Sequence, residues 1–123
     1  MARERLTLFD TTLRDGAQTT GVDFSVEDKR QIALALDDLG LDYVEGGWPG
    51  ANPTDTAFFA KRPKVKAKFA AFGMTKRAGR SAANDPGIAG LVAADCDTIV
   101  YVAKTWDYQV HVALECSLED NLE

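Results

Sequence analysis

The stretch LFDTTLRDGAQTTG at residues 8–21 carries most of the information on the fold and the candidate site of this chain. The apolar residues Leu6, Leu8 and Phe9 predict a short buried strand that ends at Asp10. Two opposite charges, Arg14 and Asp15, follow directly. Burying charge costs free energy unless the charge is paired, bound to a metal or used on a substrate. We therefore predict an active-site loop after the first strand.

Strand and helix patterns alternate along the rest of the chain. Further strands are predicted from Tyr43, at 67–72 and at 98–103, and helices from Ser25, Asn52–Pro53 and Asp85–Pro86. Ser25 and Asp28 have capping-box spacing. The first helix is expected to bury an apolar stripe that consists of Ile32, Leu34, Ala35, Leu36 and Leu39. Such alternation predicts right-handed βαβ units and a parallel sheet, whose apolar fourth strand is expected to be covered on both faces.

The number of units predicts half of a larger barrel. Ser117 and Asp120 indicate another helix start close to residue 123, and a (β/α)8 barrel needs about 250 residues. We therefore predict an α/β fold that is the N-terminal half of a TIM barrel, with about four parallel strands, three helices and the start of a fourth. Residues 1–123 would be one partial catalytic domain, truncated after the fourth strand. The alternative is a small complete α/β domain with a frayed tail.

Composition narrows the classes of function. The net charge is −5 and 46% of the residues are hydrophobic, so we expect no nucleic-acid partner, which would require a concentrated basic face. No apolar run is long enough to span a bilayer, and we expect a soluble cytoplasmic protein without a membrane partner. Cys96 and Cys116 lack metal-site spacing and are expected to be buried, reduced thiols.

Unusual polar residues follow all four predicted strands, where α/β folds place their functional groups. Arg14, Asp15 and Gln18 follow the first strand, and Glu45 ends the second. The third and fourth strands are followed by Thr75, Lys76 and Arg77, and by Lys104, Thr105 and Asp107.

These residue types suggest a chemistry but leave alternatives. Asp15 is a hard oxygen ligand suited to Mg²⁺, Mn²⁺ or Zn²⁺, Arg14 supplies permanent positive charge for an oxyanion, and Glu45 is placed to fix the guanidinium. The same three residues are equally compatible with a structural ion-pair network. His111 is expected to be a packing or surface residue. The tryptophans of the strand-end loops could wall a pocket or pack in the core: Trp48 and Trp106.

The motifs resemble a known family over nearly the whole chain. DTTLRDG-Q within 8–21 is similar to the signature of the DRE-TIM metallolyases. The segments at 24–55, which include VEGGWPGANP, and at 70–77 and 103–107 resemble the citramalate synthase branch of the isopropylmalate/homocitrate synthase family.

The resemblance implies roles and partners. Asp15 would bind a divalent metal (Mn, Mg or Zn), and Arg14 would bind substrate and stabilise enolate or alkoxide charge. Glu45 would be catalytic by orienting Arg14 or the reacting substrate, and Gln18 would contact substrate near the metal. The family reaction condenses acetyl-CoA with a 2-oxo acid, here pyruvate, and hydrolyses the thioester. The full-length parent would be an acyltransferase of isoleucine biosynthesis and a homodimer.

Departures and alternatives remain. The family completes its metal site with a His-x-His pair that this chain lacks, so the 123-residue chain alone is expected to be inactive. Sister reactions are isopropylmalate synthesis, homocitrate synthesis and hydroxymethylglutaryl-CoA lyase chemistry. An alternative of another class is a non-catalytic half-barrel that self-associates through open sheet edges.

Overall fold

A computed structural model describes residues 3–123 and contains one parallel sheet of four strands in the order β1-β2-β3-β4. Helices alternate with the strands, as in the first half of a (β/α)8 barrel, and the predicted fold class is confirmed. In chain order the elements are β1 (Phe9–Asp10), α1 (Val26–Asp38), β2 (Tyr43–Gly47), α2 (Pro53–Ala60), β3 (Lys68–Met74), α3 (Pro86–Ala93), β4 (Thr98–Val102), α4 (Asp107–Gln109) and α5 (Leu118–Leu122). A 3-10 turn covers Gly16–Gln18, and a π-helix follows α4 at Val110–Leu114.

Side-chain caps start the helices where the sequence predicted them. The hydroxyl of Ser25 accepts a hydrogen bond from Asp28 N at 3.1 Å, and the Asp28 carboxylate accepts one from Ser25 N at 2.9 Å. Asn52 Oδ1 caps α2, and Asp85 Oδ1 caps α3 by accepting from Gly87 N and Ile88 N. These acceptors satisfy N–H groups that have no partner inside the helix.

The register of the sheet brings the first two strand ends together. Asp10 pairs with Val44, so the loop after β1 leaves the sheet beside Glu45. The register between β2 and β3 shifts between Glu45 and Gly47. This irregularity lies at the carboxyl end of β2, beside the loop that follows β1. Parallel strands present their carboxyl ends on one side, which here is the side of Arg14.

Burial of the first strand differs from the prediction. β1 has only two residues, and Leu6, Leu8 and Phe9 are 80%, 53% and 43% exposed. The strand lies at the edge of the sheet, and the described residues place no helix over it. The core lies farther along the chain and includes Leu13, Val44, Phe58, Phe69 and Leu91.

Two other predicted faces are also corrected. In α1 the side that faces the sheet carries Lys29 and Ala33, whereas Leu34 is 43% and Leu39 77% exposed. The predicted stripe was too wide, because 3.6 residues per turn place position 34 well round the helix from positions 29 and 33. β4 is an edge strand rather than a covered one, and Tyr101 is 46% exposed.

Two simpler expectations can be compared directly with the structure. Within residues 3–123, no helix has both the length and the apolar character needed to cross a membrane. Cys96 and Cys116 are free thiols, as predicted, but both are half-buried rather than fully buried.

Asp85 makes the stability of the fold depend on pH. Hydrogen bonds from Arg77 N and from Ile88 N and Gly87 N hold the pKa of the Asp85 carboxyl below its ordinary 3.8. A carboxyl group with a lowered folded-state pKa stabilises the fold above its unfolded pKa, and this contribution is lost as the pH falls through the folded value.

We expect the variant Asp85→Asn to be less stable than the parent at neutral pH. Acidification should then lower the free energy of unfolding of the variant by less than that of the parent. Urea unfolding, followed by circular dichroism, would give the free energy of unfolding from pH 7 to pH 3. The difference in the free energy of unfolding between the parent and the variant should be constant above about pH 5 and should shrink below about pH 4. Asp38→Asn, at an exposed carboxylate of α1 without a side-chain hydrogen bond within residues 3–123, is the control. A difference for Asp85→Asn that does not change with pH would contradict this account.

Candidate active site

A buried ion pair joins the loop after β1 to the end of β2. Arg14 Nε donates a hydrogen bond to Glu45 Oε2 at 2.7 Å, and the two charged groups form a salt bridge. The Glu45 side chain is 1% exposed and the Arg14 side chain 20%. The paired contact expected from the sequence is therefore present. It leaves the guanidinium as the part of the pair that reaches the surface.

Two further groups hold the Arg14 guanidinium. Its Cζ lies 4.2 Å from the centroid of the Phe72 ring, an arrangement in which the aromatic face attracts the cation. Its Nη1 donates to Asp15 Oδ1 at 3.2 Å. Trp48 packs edge-on against Phe72 with 5.3 Å between ring centroids. The guanidinium thus has a carboxylate on each side and an aromatic ring against one face.

The loop that carries Arg14 is held by its own backbone and by one buried side chain. Thr11 O accepts hydrogen bonds from the backbone N–H groups of Arg14, Asp15 and Gly16 at 2.8–3.2 Å. Leu13 is fully buried and anchors the loop to the core. Arg14 is therefore presented from a tight turn, not from a mobile connection.

The end of β2 is packed too closely for side chains. Gly47 has φ +141°, and a Cβ there would lie 2.4 Å from Asp55 Cγ. A Cβ on Gly46 would lie 2.7 Å from Phe58 Cε1. Gly46 and Gly47 thus allow the end of β2 to pack closely against α2.

A second buried ion pair lies behind this loop. Lys29 Nζ donates to Leu13 O at 2.8 Å, to Gly46 O at 3.0 Å and to the carboxylate of Asp55. Asp55 Oδ2 accepts from Trp48 N at 2.7 Å and from the side-chain amide of Asn52 at 2.9 Å. Lys29 is 2% exposed and Asp55 7%.

Two cavities open near these groups. One of about 350 Å³ is bordered by Arg14, Gln18, Trp48, Asn52 and Asp55. The exposed side chain of Gln18 therefore lies beside the arginine, as expected for a residue that contacts substrate. The other, of about 390 Å³, lies after β3 and is lined by residues that include Trp48, Thr75, Lys76, Arg77 and Cys116.

The remaining candidates lie away from the Arg14 pair. His111 is exposed on the π-helix, in line with its expected surface role. Trp106 is 59% exposed and stacks at a tilt on Tyr108, so it does not pack in the core. Lys104 O accepts from Asn121 Nδ2, and Asp107 caps the backbone of Tyr108. The residues after β4 thus hold the C-terminal helices and do not contact Arg14.

Asp15 is the candidate metal ligand of the loop, and its carboxylate is largely exposed to solvent. Its side chain is 64% exposed and contacts only the Arg14 guanidinium among the described groups. Residues 3–123 contain no group of three His, Cys, Asp or Glu side chains that could hold a metal ion. The chemistry of the donor fits a divalent cation, but the described residues supply a single carboxylate and not a complete coordination shell.

Three residues of the site were missed in the sequence. Phe72 lies in an apolar run and was read only as part of a strand. Asp55 was read only as part of the start of α2. The spacing of Lys29 does indicate burial. It precedes Ile32 by three residues and Ala33 by four, so in a helix it lies on the same side as these apolar residues.

The chain is similar in sequence to known proteins and to one family model. The HMGL-like family model matches residues 5–123. The chain is 51% identical over 119 residues to an (R)-citramalate synthase from Geobacter sulfurreducens. This match covers 94% of this chain and 22% of that protein. It is 47% identical to an (R)-citramalate synthase from Aquifex aeolicus, over 97% of this chain and 23% of that protein.

A shorter match covers 42% of this chain and 10% of a 2-isopropylmalate synthase from Listeria welshimeri, at 54% identity over 52 residues. The chain spans less than a quarter of the length of each of these three relatives. The resemblance expected from the sequence motifs is confirmed. The family model matches nearly the whole chain, and this chain therefore belongs to the HMGL-like family.

Proposed function

We propose that this chain supplies the Arg14–Glu45 centre of a metal-dependent acyltransferase that condenses acetyl-CoA with pyruvate to give citramalate, in isoleucine biosynthesis. The carrying observation is the charged cluster at the carboxyl edge of the sheet, where a buried Glu45 holds Arg14 at 2.7 Å beside Asp15. The similarity to (R)-citramalate synthases over 94% and 97% of the chain supports the choice of reaction.

Arg14 meets the charge that develops in such a condensation. A base accepts a proton from the methyl carbon of acetyl-CoA, and the electron pair left on that carbon forms a bond to the keto carbon of pyruvate while negative charge moves to the keto oxygen. That oxygen then takes up a proton, and water hydrolyses the thioester to give citramalate and free CoA. No hydrogen bond joins Nη2 of Arg14 to another of residues 3–123, so these donors are free for a substrate oxygen. A donor fixed in advance stabilises the developing oxyanion without reorganising during the reaction.

Glu45 and Asp15 have different parts in the proposal. Glu45 is buried and fixes the direction of the guanidinium from behind. Asp15 is exposed and would give one carboxylate oxygen to the divalent metal, with other ligands from outside the described residues. When bound, the metal polarises the keto group as a Lewis acid.

Gln18 and its cavity give the substrate a place beside Arg14. The cavity of about 350 Å³ is large enough for a 2-oxo acid and opens next to both residues. An amide donor at Gln18 can hydrogen-bond a carboxylate or keto oxygen. We also propose that the full-length protein is a homodimer.

We expect Arg14→Lys to lower kcat/KM of the full-length enzyme by about 10²-fold or more. Lysine keeps the positive charge beside Glu45, so the buried carboxylate retains a partner, but the planar fork that directs Nη2 is lost. Release of free CoA from acetyl-CoA and pyruvate would be measured with a thiol reagent. Arg80→Lys, at an exposed arginine that donates to Asn84 O, is the matched control and should keep the parent rate. A parent-like rate for Arg14→Lys as well as for Arg80→Lys would exclude Arg14 from the reaction.

The choice of the 2-oxo acid is tested on the full-length protein. We expect pyruvate to give a higher kcat/KM than 2-oxoisovalerate or 2-oxoglutarate, with citramalate identified as the product by mass spectrometry. A preference for 2-oxoisovalerate would instead support the isopropylmalate synthase alternative, and a preference for 2-oxoglutarate the homocitrate synthase alternative.

We expect the 123-residue chain alone to release no CoA above the blank in the same assay. A single exposed carboxylate binds a divalent cation weakly, because high affinity requires several ligands held together. Light scattering on the same sample would show whether the chain self-associates, and a monomer would count against the alternative of a half-barrel that associates through its open sheet edges. Turnover near that of the full-length enzyme would overturn the prediction.

A further inference from the structure

Lys29 is a buried ammonium group whose three N–H donors all reach protein acceptors. Two of the acceptors are backbone carbonyls, Leu13 O at 2.8 Å and Gly46 O at 3.0 Å, and the third is the carboxylate of Asp55. Leu13 O belongs to the peptide bond that leads into Arg14. Gly46 directly follows Glu45. One side chain thus holds the two backbone segments that carry the proposed catalytic pair.

Asp55, the carboxylate partner of Lys29, also holds the loop after β2. Its Oδ2 accepts from Trp48 N at 2.7 Å, two residues beyond Gly46, and from Asn52 Nδ2 at 2.9 Å. Its carboxylate fills the space where Gly47 would have a side chain. The loop after β2 is therefore fixed by Asp55, and Lys29 connects it to the loop after β1.

Stability alone is a poor reason for such a pair. Replacing a buried ion pair by apolar groups of similar volume is often neutral or stabilising, because desolvation of the two charges offsets their attraction. The surroundings of Lys29 on α1 would suit an apolar residue, since Ala33 is buried and Ile32 and Leu36 pack against the same core. What an apolar residue could not supply is the directed contact with two carbonyl groups at once.

We propose that Lys29, held by Asp55, is a positioning residue that sets the distance and angle between Arg14 and Glu45. The inference rests on the proposed function only for its effect on turnover, since the effect on the Arg14–Glu45 contact is independent of the reaction. Lys29 also lines the cavity of about 350 Å³ beside Arg14. Its three N–H donors are nevertheless all used on protein acceptors, so it acts through the backbone of its two neighbours.

The variant must avoid an uncompensated buried charge. Lys29→Met alone leaves the Asp55 carboxylate buried without its cation, which favours unfolding. The paired variant Lys29→Met/Asp55→Asn is neutral, nearly isosteric, and keeps an acceptor for Trp48 N. Lys29→Leu/Asp55→Asn is the second variant, and it too leaves no unpaired charge in the core. Arg62→Met is the control, because Arg62 also donates to backbone carbonyls, at Ala94 and Asp95, but joins the far ends of α2 and α3.

The first readout is the Arg14 Nε–H resonance in the ¹⁵N-labelled chain, assigned by its loss in Arg14→Lys. We expect its exchange with water to become at least about tenfold faster in both Lys29–Asp55 variants, because the hydrogen bond to Glu45 loosens. Arg62→Met should leave it unchanged even if the free energy of unfolding falls. Parent-like exchange in either folded Lys29–Asp55 variant would overturn the proposal.

The second readout is the kinetics of the full-length enzyme. A misplaced guanidinium should lower kcat by about 10²-fold in the paired variant, and KM for acetyl-CoA should stay within about threefold. Arg62→Met should keep the parent kcat. If the parent proves to have no synthase activity, the proposed function fails, while the exchange of Arg14 Nε–H still decides whether Lys29 positions Arg14.

Discussion

The structure of this sheet edge depends on the ion pair between Arg14 and Glu45. A carboxylate that is 1% exposed has lost its hydration, and the effective penalty for such a group amounts to several kcal/mol unless a partner replaces the water. Arg14 Nε is that partner at 2.7 Å, and Phe72 covers one face of the guanidinium. Because Arg14 itself keeps 20% exposure, the pair transmits a fixed orientation from the core to the surface.

Two cationic side chains, Lys29 and Arg14, have different roles at this edge of the sheet. Lys29 lines the same cavity as Arg14, but all of its N–H donors are used on protein groups and none is free for a ligand. Arg14 lies in front and has a free Nη2. The difference follows from chemistry, since an ammonium group can saturate three acceptors around one point, whereas a guanidinium directs its donors along fixed lines in one plane. The inner cation therefore suits fixing the backbone, and the outer one suits binding an oxyanion.

The sequence predicted the parts of the site that depend on strand ends and helix caps. Parallel strands converge at their carboxyl ends, so Arg14 and Glu45 could be placed side by side before any coordinates. Phe72 and Lys29 could not be assigned in this way, because their roles come from contacts between elements far apart in the chain. Burial was predicted least well: Leu8 and Tyr101 are apolar, as strand residues usually are, but periodicity does not show which strands lie at an edge.

The two carboxylates beside Arg14 are chemically alike, and their surroundings separate their uses. Glu45 is enclosed, and coordination of a cation by its Oε2 would break the hydrogen bond that holds Arg14 and leave a guanidinium without its buried partner. Asp15 gives up only a 3.2 Å contact with Nη1 and already faces solvent, so it can accept a hydrated cation at small cost. Under the proposed function Asp15 would therefore be the residue that holds the metal. With Glu45 innermost, Arg14 between and Asp15 outermost, the guanidinium is fixed from the core side, while the carboxylate that would hold the metal stays at the surface.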